Sequence, residues 1–308
     1  MIEIALMIEG QNGLNWRRWQ RLVKMAEDLG FVGIFRSDHY TNANPPDLDS
    51  LELWISLTWV ASHTRNIQFG PLVSPLSFRH PTLTARMAAA VDDLSGGRLI
   101  LGLGAGWQER EHTNFGWDLL EVNERFKRFE EGVEVITRLL RSDVPVSFQG
   151  EYYSLKDAIL LPRPERKDGP PILIGGNGKR RTLPLVARYA SEWNALFISA
   201  SEYARLSDIL DEFLIGQGRS PKEVRRSLMT GCVFGRHRAE VDRAVKVRTL
   251  GKRTPANLRN RGHIVGTTTE ILEQLEKLEK VGVQRIMLQW LDLDDIAGLE
   301  AMAEGIIS

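Results

Sequence analysis

The regular alternation of apolar runs and helical stretches is the feature that most constrains this chain. Eight runs are apolar along most of their length, which is typical of strands buried on both faces of a parallel sheet. Parallel strands need crossover connections, and most stretches between the runs have the spacing of amphipathic helices. The runs are Ile2–Ile8, Val32–Arg36, Ile67–Val73, Arg98–Leu103, Pro171–Gly175, Trp193–Ile198, Val224–Phe234 and Arg285–Leu291. Eight β/α units predict an α/β fold, a closed (β/α)8 TIM barrel.

The clearest single unit spans residues 66–107, where a strand, a helix and a second strand follow one another. The helix is expected over Arg79–Leu94, between the third and fourth apolar runs. The residues that fall near one face of this helix, and are therefore predicted to face the core, are Leu83, Met87, Ala90, Val91 and Leu94.

One excursion interrupts the alternation. Residues Val144–Leu155 have the pattern of a small hairpin about Gly150, and a polar, proline-bounded connector follows it. We therefore expect an insertion at about residues 142–170, between the fourth and fifth β/α units. No linker divides the chain, so a single domain over residues 1–308 is expected, and α/β barrels commonly reach such a length.

The charge balance argues against nucleic acid and against a membrane as partners. Lys plus Arg and Asp plus Glu both number 40 among 308 residues, so the formal net charge is zero. No apolar run approaches the roughly 20 residues of a membrane span, and no signal peptide is visible. The single cysteine, Cys232, excludes internal disulfides and fits a reducing compartment. We expect a soluble cytoplasmic protein.

Asp38 and His39 follow the second apolar run directly, at the end of a strand where a barrel places its chemistry. An acid and an imidazole in this position can shuttle a proton, a role typically worth about 10²–10⁴ in rate. The alternative is structural, with Asp38 capping the next segment and His39 hydrogen-bonded within the fold. Sequence position alone favours neither interpretation.

Glycines and basic residues follow the fifth run, in the stretch Gly175–Arg181. Adjacent glycines let backbone N–H groups approach an anion, and the N-terminus of the next helix adds favourable partial charge. Lys179 to Arg181 add full positive charges. The pattern favours a phosphate site over the alternative, a flexible turn with solvated basic residues.

A second glycine-rich stretch closes the fourth run, with glycines at 102, 104 and 106. It fails the dinucleotide fingerprint, because Trp107 and Glu109 stand where a third glycine would be needed. The glycines either let the backbone approach a flat ligand or allow tight packing between strand and loop. P-loop, serine-hydrolase and zinc-protease motifs do not occur, and the six histidines lack metal-ligand spacing.

Several segments, which run in order through nearly the whole chain, resemble the bacterial luciferase-like superfamily and, within it, the probable F420-dependent oxidoreductases. The matching segments are GFVGIFRSDHY, RHPTLTARMAAAVDDLSGGRLILGLGAGWQERE, NERFKRFEEGVEVITRLL, PPILIGGNGKRRTLPLVARYASEWN and IVGTTTEILEQLEKLEKVGVQRIMLQ. The resemblance implies a luciferase-like TIM barrel, usually a homodimer, that holds a flavin or a deazaflavin at the C-terminal mouth of the barrel.

The resemblance also implies roles for individual residues. Asp38 and His39 match an acid–histidine pair beside the reactive ring, and the Leu72–Val73 bond matches a non-prolyl cis peptide that backs the ring. Glu9 and Gln11 are pocket candidates by position only. The residues that match cofactor contacts are Leu72, Val73, Ala105, Gly106, Gly175, Gly176 and Asn177, with Glu109 near the family's loop acid.

The function that the resemblance implies is hydride transfer between F420 and a small organic substrate. The protein must then manage a proton near the reactive ring, and His39 is the residue expected to move it, with Asp38 orienting it or tuning its charge. On this view the glycines at 102, 104 and 106 give clearance for the ring. Two alternatives remain open: an FMN-dependent luciferase-like monooxygenase, and a barrel that binds a flavin without turnover.

Overall fold

Two sheets are present in the structure, a computed structural model that describes residues 2–307. One sheet has ten strands, and the other is a two-stranded hairpin formed by β6 and β7. The strands are β1 (Glu3–Ile8), β2 (Gly33–Arg36), β3 (Gln68–Pro71), β4 (Ser74–Pro75), β5 (Leu101–Gly104), β6 (Val146–Gln149), β7 (Ser154–Ala158), β8 (Ile172–Gly175), β9 (Glu192–Leu196), β10 (Arg225–Phe234), β11 (Ile264–Gly266) and β12 (Arg285–Gln289).

The ten-stranded sheet is a parallel barrel. Its strand order is β3-β2-β1-β12-β10-β9-β8-β5-β4, and β11 pairs with β10 beside this path. Only Leu72 and Val73 separate β3 from β4, and a parallel bridge between Phe69 and Leu99 joins β3 to the segment that leads into β5. The path therefore returns to its start. With β11 set aside and β3 and β4 counted as one position, eight positions remain, and the predicted (β/α)8 barrel is confirmed.

Helices surround the barrel and bury their apolar sides against it in one large core, to which Trp19, Val133 and Leu206 belong. The helices are α1 (Trp16–Asp28), α2 (Leu53–His63), α3 (Pro81–Leu94), α4 (Glu109–Phe115), α5 (Val122–Arg141), α6 (Thr182–Tyr189), α7 (Ala200–Gly216), α8 (Arg238–Arg248), α9 (Pro255–Arg259), α10 (Thr268–Lys280) and α11 (Ile296–Ile306), with a 3₁₀ turn at Pro221–Glu223.

The barrel interior is filled, so the strand ends are where a ligand can meet it. Residues of a strand alternate between its two faces. On β1, Leu6 joins the outer core, whereas Ala5 and Met7 join a second cluster, which therefore lies inside the barrel. We call it the inner cluster; its buried members are Ala5, Met7, Phe35, Leu72, Ile100, Leu173, Met229 and Met287.

All eight apolar runs that the sequence singled out are barrel strands, but the predicted inward face of α3 is largely wrong. Val91 is buried as expected, whereas Leu83 and Leu94 are about half exposed. The buried face of α3 consists mainly of small residues, among them Ala85 and Ala88. Small side chains let the helix approach the barrel closely, and helical spacing does not distinguish that face from the more apolar stripe beside it.

Between α5 and β8 the chain forms the antiparallel hairpin of β6 and β7. Glu131 of α5 holds its turn, because the carboxylate accepts backbone N–H groups of Glu151, Tyr152 and Tyr153. The sequence did not indicate the short helices α4 and α9. Within residues 2–307, no helix combines the length and the apolar character that crossing a membrane requires.

Candidate active site

His39 lies at the C-terminal mouth of the barrel, in the loop after β2. Its Nδ1 atom is 2.9 Å from Oε1 of Glu111, a fully buried residue of α4. The second carboxylate oxygen of Glu111 accepts the backbone N–H of Tyr40 at 3.1 Å. Because an ionised carboxylate only accepts hydrogen bonds, Nδ1 of His39 carries a hydrogen and Nε2 is left for a ligand.

The pKa of His39 is raised above its ordinary value. Burial is the largest single influence and lowers this pKa, but the hydrogen bond and charge of Glu111 raise it, with further contributions from Glu9 and Asp38. The imidazolium form therefore persists to a higher pH than in an ordinary histidine. This arrangement can deliver a proton at the mouth and take it back.

Asp38 belongs to a buried ion pair and is not bonded to the His39 ring. Arg79 donates to both Asp38 oxygens, at 2.5 and 3.4 Å, and Ser74 donates to one of them at 2.9 Å. The residue that orients the His39 ring is Glu111, not Asp38. Asp38 instead ties the loop that carries His39 to the segment that follows the third barrel position.

A chain of hydrogen bonds joins three strand ends at the mouth. Gln289 donates to Glu9 at 2.6 Å, and Gln11 donates to the other Glu9 oxygen at 2.9 Å. Ser37 in turn donates to Gln11 at 2.7 Å. Both residues named only by position, Glu9 and Gln11, are thus part of the mouth, and Glu9 is a second carboxylate whose charge acts on His39.

The Leu72–Val73 peptide bond is cis, as the resemblance implied. Leu72 is buried in the inner cluster, and Val73 is partly buried against it. A Cβ added to Gly102 would lie 2.0 Å from the Pro71 carbonyl oxygen, and one added to Gly104 would lie 2.4 Å from Cγ2 of Val73. The prediction that Gly102 and Gly104 make room for a ligand is therefore wrong. Glycine is needed at both positions because the neighbouring segment of residues 71–73 approaches so closely that a side chain would not fit.

The loop after β5 carries Ala105 and Gly106 along the mouth. Ala105 is half-buried, and Gly106 has a φ of +82°, in the left-handed region that favours glycine. Arg125 of α5 donates to the Gly106 carbonyl at 3.0 Å. The loop is thus anchored from outside, with its course along the mouth fixed.

Two further residues of this loop differ sharply in their relation to His39. The Trp107 ring is 63% exposed, and its centroid is 5.5 Å from that of His39 in an edge-to-face contact. Glu109, the candidate loop acid, has an exposed side chain at the start of α4. The acid that reaches His39 is Glu111, two residues further on.

The predicted phosphate turn lies directly after β8. Gly175 ends the strand, and Gly176 follows with a φ of +133°. The Asn177 side chain is committed to the next strand end, since it donates to the Leu196 carbonyl at 2.7 Å and accepts the Leu196 N–H at 3.0 Å. The backbone N–H groups of residues 177–181 donate to no group within residues 2–307, so they remain available to an anion.

The three basic residues of this turn are not equivalent. Arg181 donates to Asn123 of α5, and its guanidinium lies over the Phe126 ring. Lys179 and Arg180 have exposed side chains. The sequence predicted that all three basic residues could bind a phosphate. Lys179 and Arg180 remain free to do so, whereas Arg181 is already engaged by Asn123 and Phe126.

A cleft of about 450 Å³ opens between the loop after β9 and the segment that joins α9 to β11. Its lining includes Phe197 and His263, whose rings are 5.3 Å apart, and the exposed Arg261. The pKa of His263 is lowered, first by burial and then by the charges of Arg248, Arg253 and Arg261. This side of the mouth thus presents a less basic imidazole within a positive field.

Sequence reasoning missed Glu111 and Arg79, the two residues that hold His39 and Asp38. Glu111 lies in α4, a short polar helix without the apolar periodicity that would have revealed it. The available signal was the spacing of three residues between Gln108 and Glu111, which places both side chains on one face of a helix; both are buried. Arg79 lies in a segment quoted for the resemblance, but nothing in its neighbours indicated a buried partner.

Comparison with known proteins agrees with this architecture. F420-dependent glucose-6-phosphate dehydrogenase of Kineococcus radiotolerans is 26% identical over 92% of this chain and 81% of that protein. 4-Hydroxyprotoasukamycin monooxygenase of Streptomyces nodosus subsp. asukaensis is also 26% identical, over 92% of this chain and 82% of that protein.

Among solved structures, an F420-dependent secondary alcohol dehydrogenase in complex with an F420-acetone adduct superposes with a TM-score of 0.86. The alignment covers 99% of this chain and 98% of that one. Because the sequence identity is 18%, the superposition supports a shared fold and no more than that. The profile of the luciferase-like monooxygenase family matches residues 2–263. The chain therefore belongs to the luciferase-like monooxygenase family.

Proposed function

We propose that this chain is an F420-dependent oxidoreductase that transfers hydride between the deazaflavin and a small organic substrate. The observation that carries the proposal is the His39–Glu111 pair at the barrel mouth, a proton-carrying imidazole with a fixed ring and a raised pKa. Hydride transfer between a carbonyl and an alcohol needs one proton at the substrate oxygen. The similarity to a glucose-6-phosphate dehydrogenase that uses F420 supports the choice of cofactor.

The residues at the mouth fit a flat ring that carries a phosphate chain. Val73 offers a partly buried surface above the inner cluster, and the backbone of Ala105 and Gly106 runs beside it. Unpaired N–H groups after Gly175 and Gly176, with Asn177 fixing the turn, suit a phosphate. Leu72 and Glu109 remain cofactor-contact proposals, Leu72 through its backbone because its side chain is buried.

The chain's own part in the chemistry is proton management and positioning. When bound, F420 supplies or accepts hydride at its central ring. Nε2 of His39 gives a proton to a carbonyl oxygen in one direction and takes it from a hydroxyl in the other. Glu111 stabilises the imidazolium, and Asp38 keeps the His39 loop in place through Arg79.

The second candidate is an FMN-dependent luciferase-like monooxygenase. The similarity to 4-hydroxyprotoasukamycin monooxygenase supports it, since the identity is the same 26% as with the glucose-6-phosphate dehydrogenase and the coverage is nearly the same. The phosphate turn suits FMN as well as F420, since both ligands carry a phosphate. A non-catalytic flavin-binding barrel is the third possibility, and the partly exposed proton-carrying His39 argues against it.

Parallel titration with F420 and FMN separates the candidates. We expect F420 fluorescence to change on binding with a dissociation constant in the micromolar range or below, and FMN to bind more weakly. Tight FMN binding without F420 binding would replace the leading proposal with the monooxygenase. Binding without turnover on a panel of alcohols, aldehydes and sugar phosphates would leave the non-catalytic barrel.

We also propose that the protein is a cytoplasmic homodimer, with residues 1–308 as one domain. The support for dimerisation is the apolar stripe that α3 turns to solvent, next to α2. Leu83 and Leu94 are about half exposed on α3, and Ile55 is 61% exposed on α2. An exposed apolar patch of this kind suits a two-fold interface, which would bury these side chains.

Light scattering tests the dimer. The doubly substituted Leu83→Glu, Leu94→Glu variant should be a folded monomer where the unaltered protein is a dimer. Ile215→Glu, at an exposed site on α7, is the matched control and should remain a dimer. A monomeric unaltered protein, or a double variant that stays dimeric, would remove this proposal.

A further inference from the structure

Ser77 and His112 form a hydrogen-bonded pair that the redox proposal does not use. Ser77 follows β4, and its side chain is partly exposed. His112 belongs to α4 and is almost completely buried. Oγ of Ser77 is 2.8 Å from Nε2 of His112. A hydroxyl within about 2.6–3.2 Å of an imidazole is the contact that marks a nucleophile and its base.

The His112 ring is held in one tautomer. Its Nδ1 atom is 2.7 Å from the carbonyl oxygen of Gln108, which can only accept a hydrogen bond. Nδ1 therefore carries the hydrogen, and Nε2 is the ring atom placed to accept the hydroxyl hydrogen of Ser77. Phe78 packs against the imidazole with ring centroids 5.0 Å apart. The base thus has its orienting third group, here a backbone carbonyl in place of a carboxylate.

Gly106 lies directly beside this pair. A Cβ at Gly106 would be 2.8 Å from Oγ of Ser77 and 3.4 Å from Nε2 of His112. Within residues 2–307, the backbone N–H groups of Gly106 and Trp107 donate to no group. Next to a serine, free N–H groups on an anchored loop are the donors that a developing oxyanion needs.

We propose that Ser77 is a nucleophile activated by His112, and that the barrel mouth hydrolyses small carboxylic esters. Oγ of Ser77 forms a bond to the ester carbonyl carbon, and its proton passes to Nε2 of His112. The carbon–oxygen bond to the alcohol breaks, and the alcohol leaves with that proton. Water then attacks the acyl-serine, and His112 moves the water's proton to Ser77 as the carboxylic acid departs.

Covalent labelling tests this directly on the whole chain without added cofactor. Diisopropyl fluorophosphate should add one adduct to the unaltered protein, and peptide mapping should place it on Ser77. p-Nitrophenyl acetate should give a burst of p-nitrophenolate. His112→Gln should slow both reactions by about 100-fold or more, the usual contribution of a general base. No adduct on Ser77 in the folded, unaltered protein would overturn the proposal.

Matched variants separate chemistry from folding. Ser77→Ala should lose the adduct and the burst, whereas Ser142→Ala, at a partly exposed serine directly after α5, should keep both. Thermal unfolding of each variant checks that it folds. If Ser77→Ala does not fold, the peptide mapping of the adduct on the unaltered protein still decides whether Ser77 is the labelled residue. Equal labelling rates in folded His112→Gln would contradict the role of the base. F420 titration of the same samples reports on the redox proposal separately.

Discussion

Nδ1 of His39 lies 2.9 Å from Oε1 of Glu111, although 72 positions separate the two residues in the chain. Glu111 is fully buried, whereas the His39 side chain keeps 17% of its surface exposed. In this pair the hydrogen-bond acceptor, Glu111, is shielded from solvent, whereas the proton carrier, His39, remains accessible to a ligand at the mouth. Because the other Glu111 oxygen binds the backbone of Tyr40, the same carboxylate fixes both the ring and its loop.

Glu111→Gln should lower the pKa of His39. In the native protein Glu111, together with the charges of Glu9 and Asp38, outweighs the effect of burial, so the His39 pKa lies above its ordinary value. Without the Glu111 carboxylate only the charges of Glu9 and Asp38 oppose the effect of burial, so the His39 pKa should fall from its native value. NMR titration of the histidine ring protons measures this. The exposed His80 serves as internal control, and an unchanged His39 pKa would show that Glu111 does not set it.

Arg79→Met should destabilise the fold through Asp38. The substitution leaves a buried carboxylate without its cation, which costs about 3–5 kcal/mol of unfolding free energy. Adding Asp38→Asn to this variant should restore part of the loss, because no unpaired charge then remains. Urea unfolding gives both values. If Arg79→Met alone were as stable as the native protein, Asp38 and Arg79 would not form a buried ion pair.

Gly104→Ala should destabilise the barrel by about 1–3 kcal/mol, the usual cost of overpacking. The added methyl would lie 2.4 Å from Cγ2 of Val73. Val73→Ala, combined with Gly104→Ala, should recover much of the loss because it removes the clashing group. Thermal unfolding of the three variants checks this. If Gly104→Ala instead weakened F420 binding alone, the glycine would be serving a ligand.

The barrel was predictable because its signal is repeated eight times along the chain. Each buried strand is marked by an apolar run, so an error in the bounds of one strand does not change the number of β/α units. The face of α3 was mispredicted because Leu83 and Leu94 are more apolar than the small residues that face the barrel. Hydrophobicity ranks side chains by transfer energy, whereas close helix packing selects them by size.

The candidate site was predictable in position but not in its pairings. His39 and the turn after Gly175 follow apolar runs, and the ends of barrel strands are where sites form. The partner of His39 depends on how α4 folds back over the mouth, which no local pattern in its polar sequence indicates. Asp38 was expected to orient His39 or to tune its charge. Its hydrogen bonds hold Arg79 and Ser74 instead of the His39 ring, whereas its charge does help to raise the His39 pKa.

The most direct test of the central claim is single-turnover reduction of bound F420, without oxygen, by the fastest substrate of an alcohol and sugar-phosphate panel. The unaltered protein should reduce F420, and His39→Gln should do so about 10²–10⁴-fold more slowly at unchanged F420 affinity. His63→Gln, at an exposed site on α2, should match the unaltered protein. Equal rates in the native and His39→Gln proteins would contradict the assignment of proton transfer to His39 and Glu111.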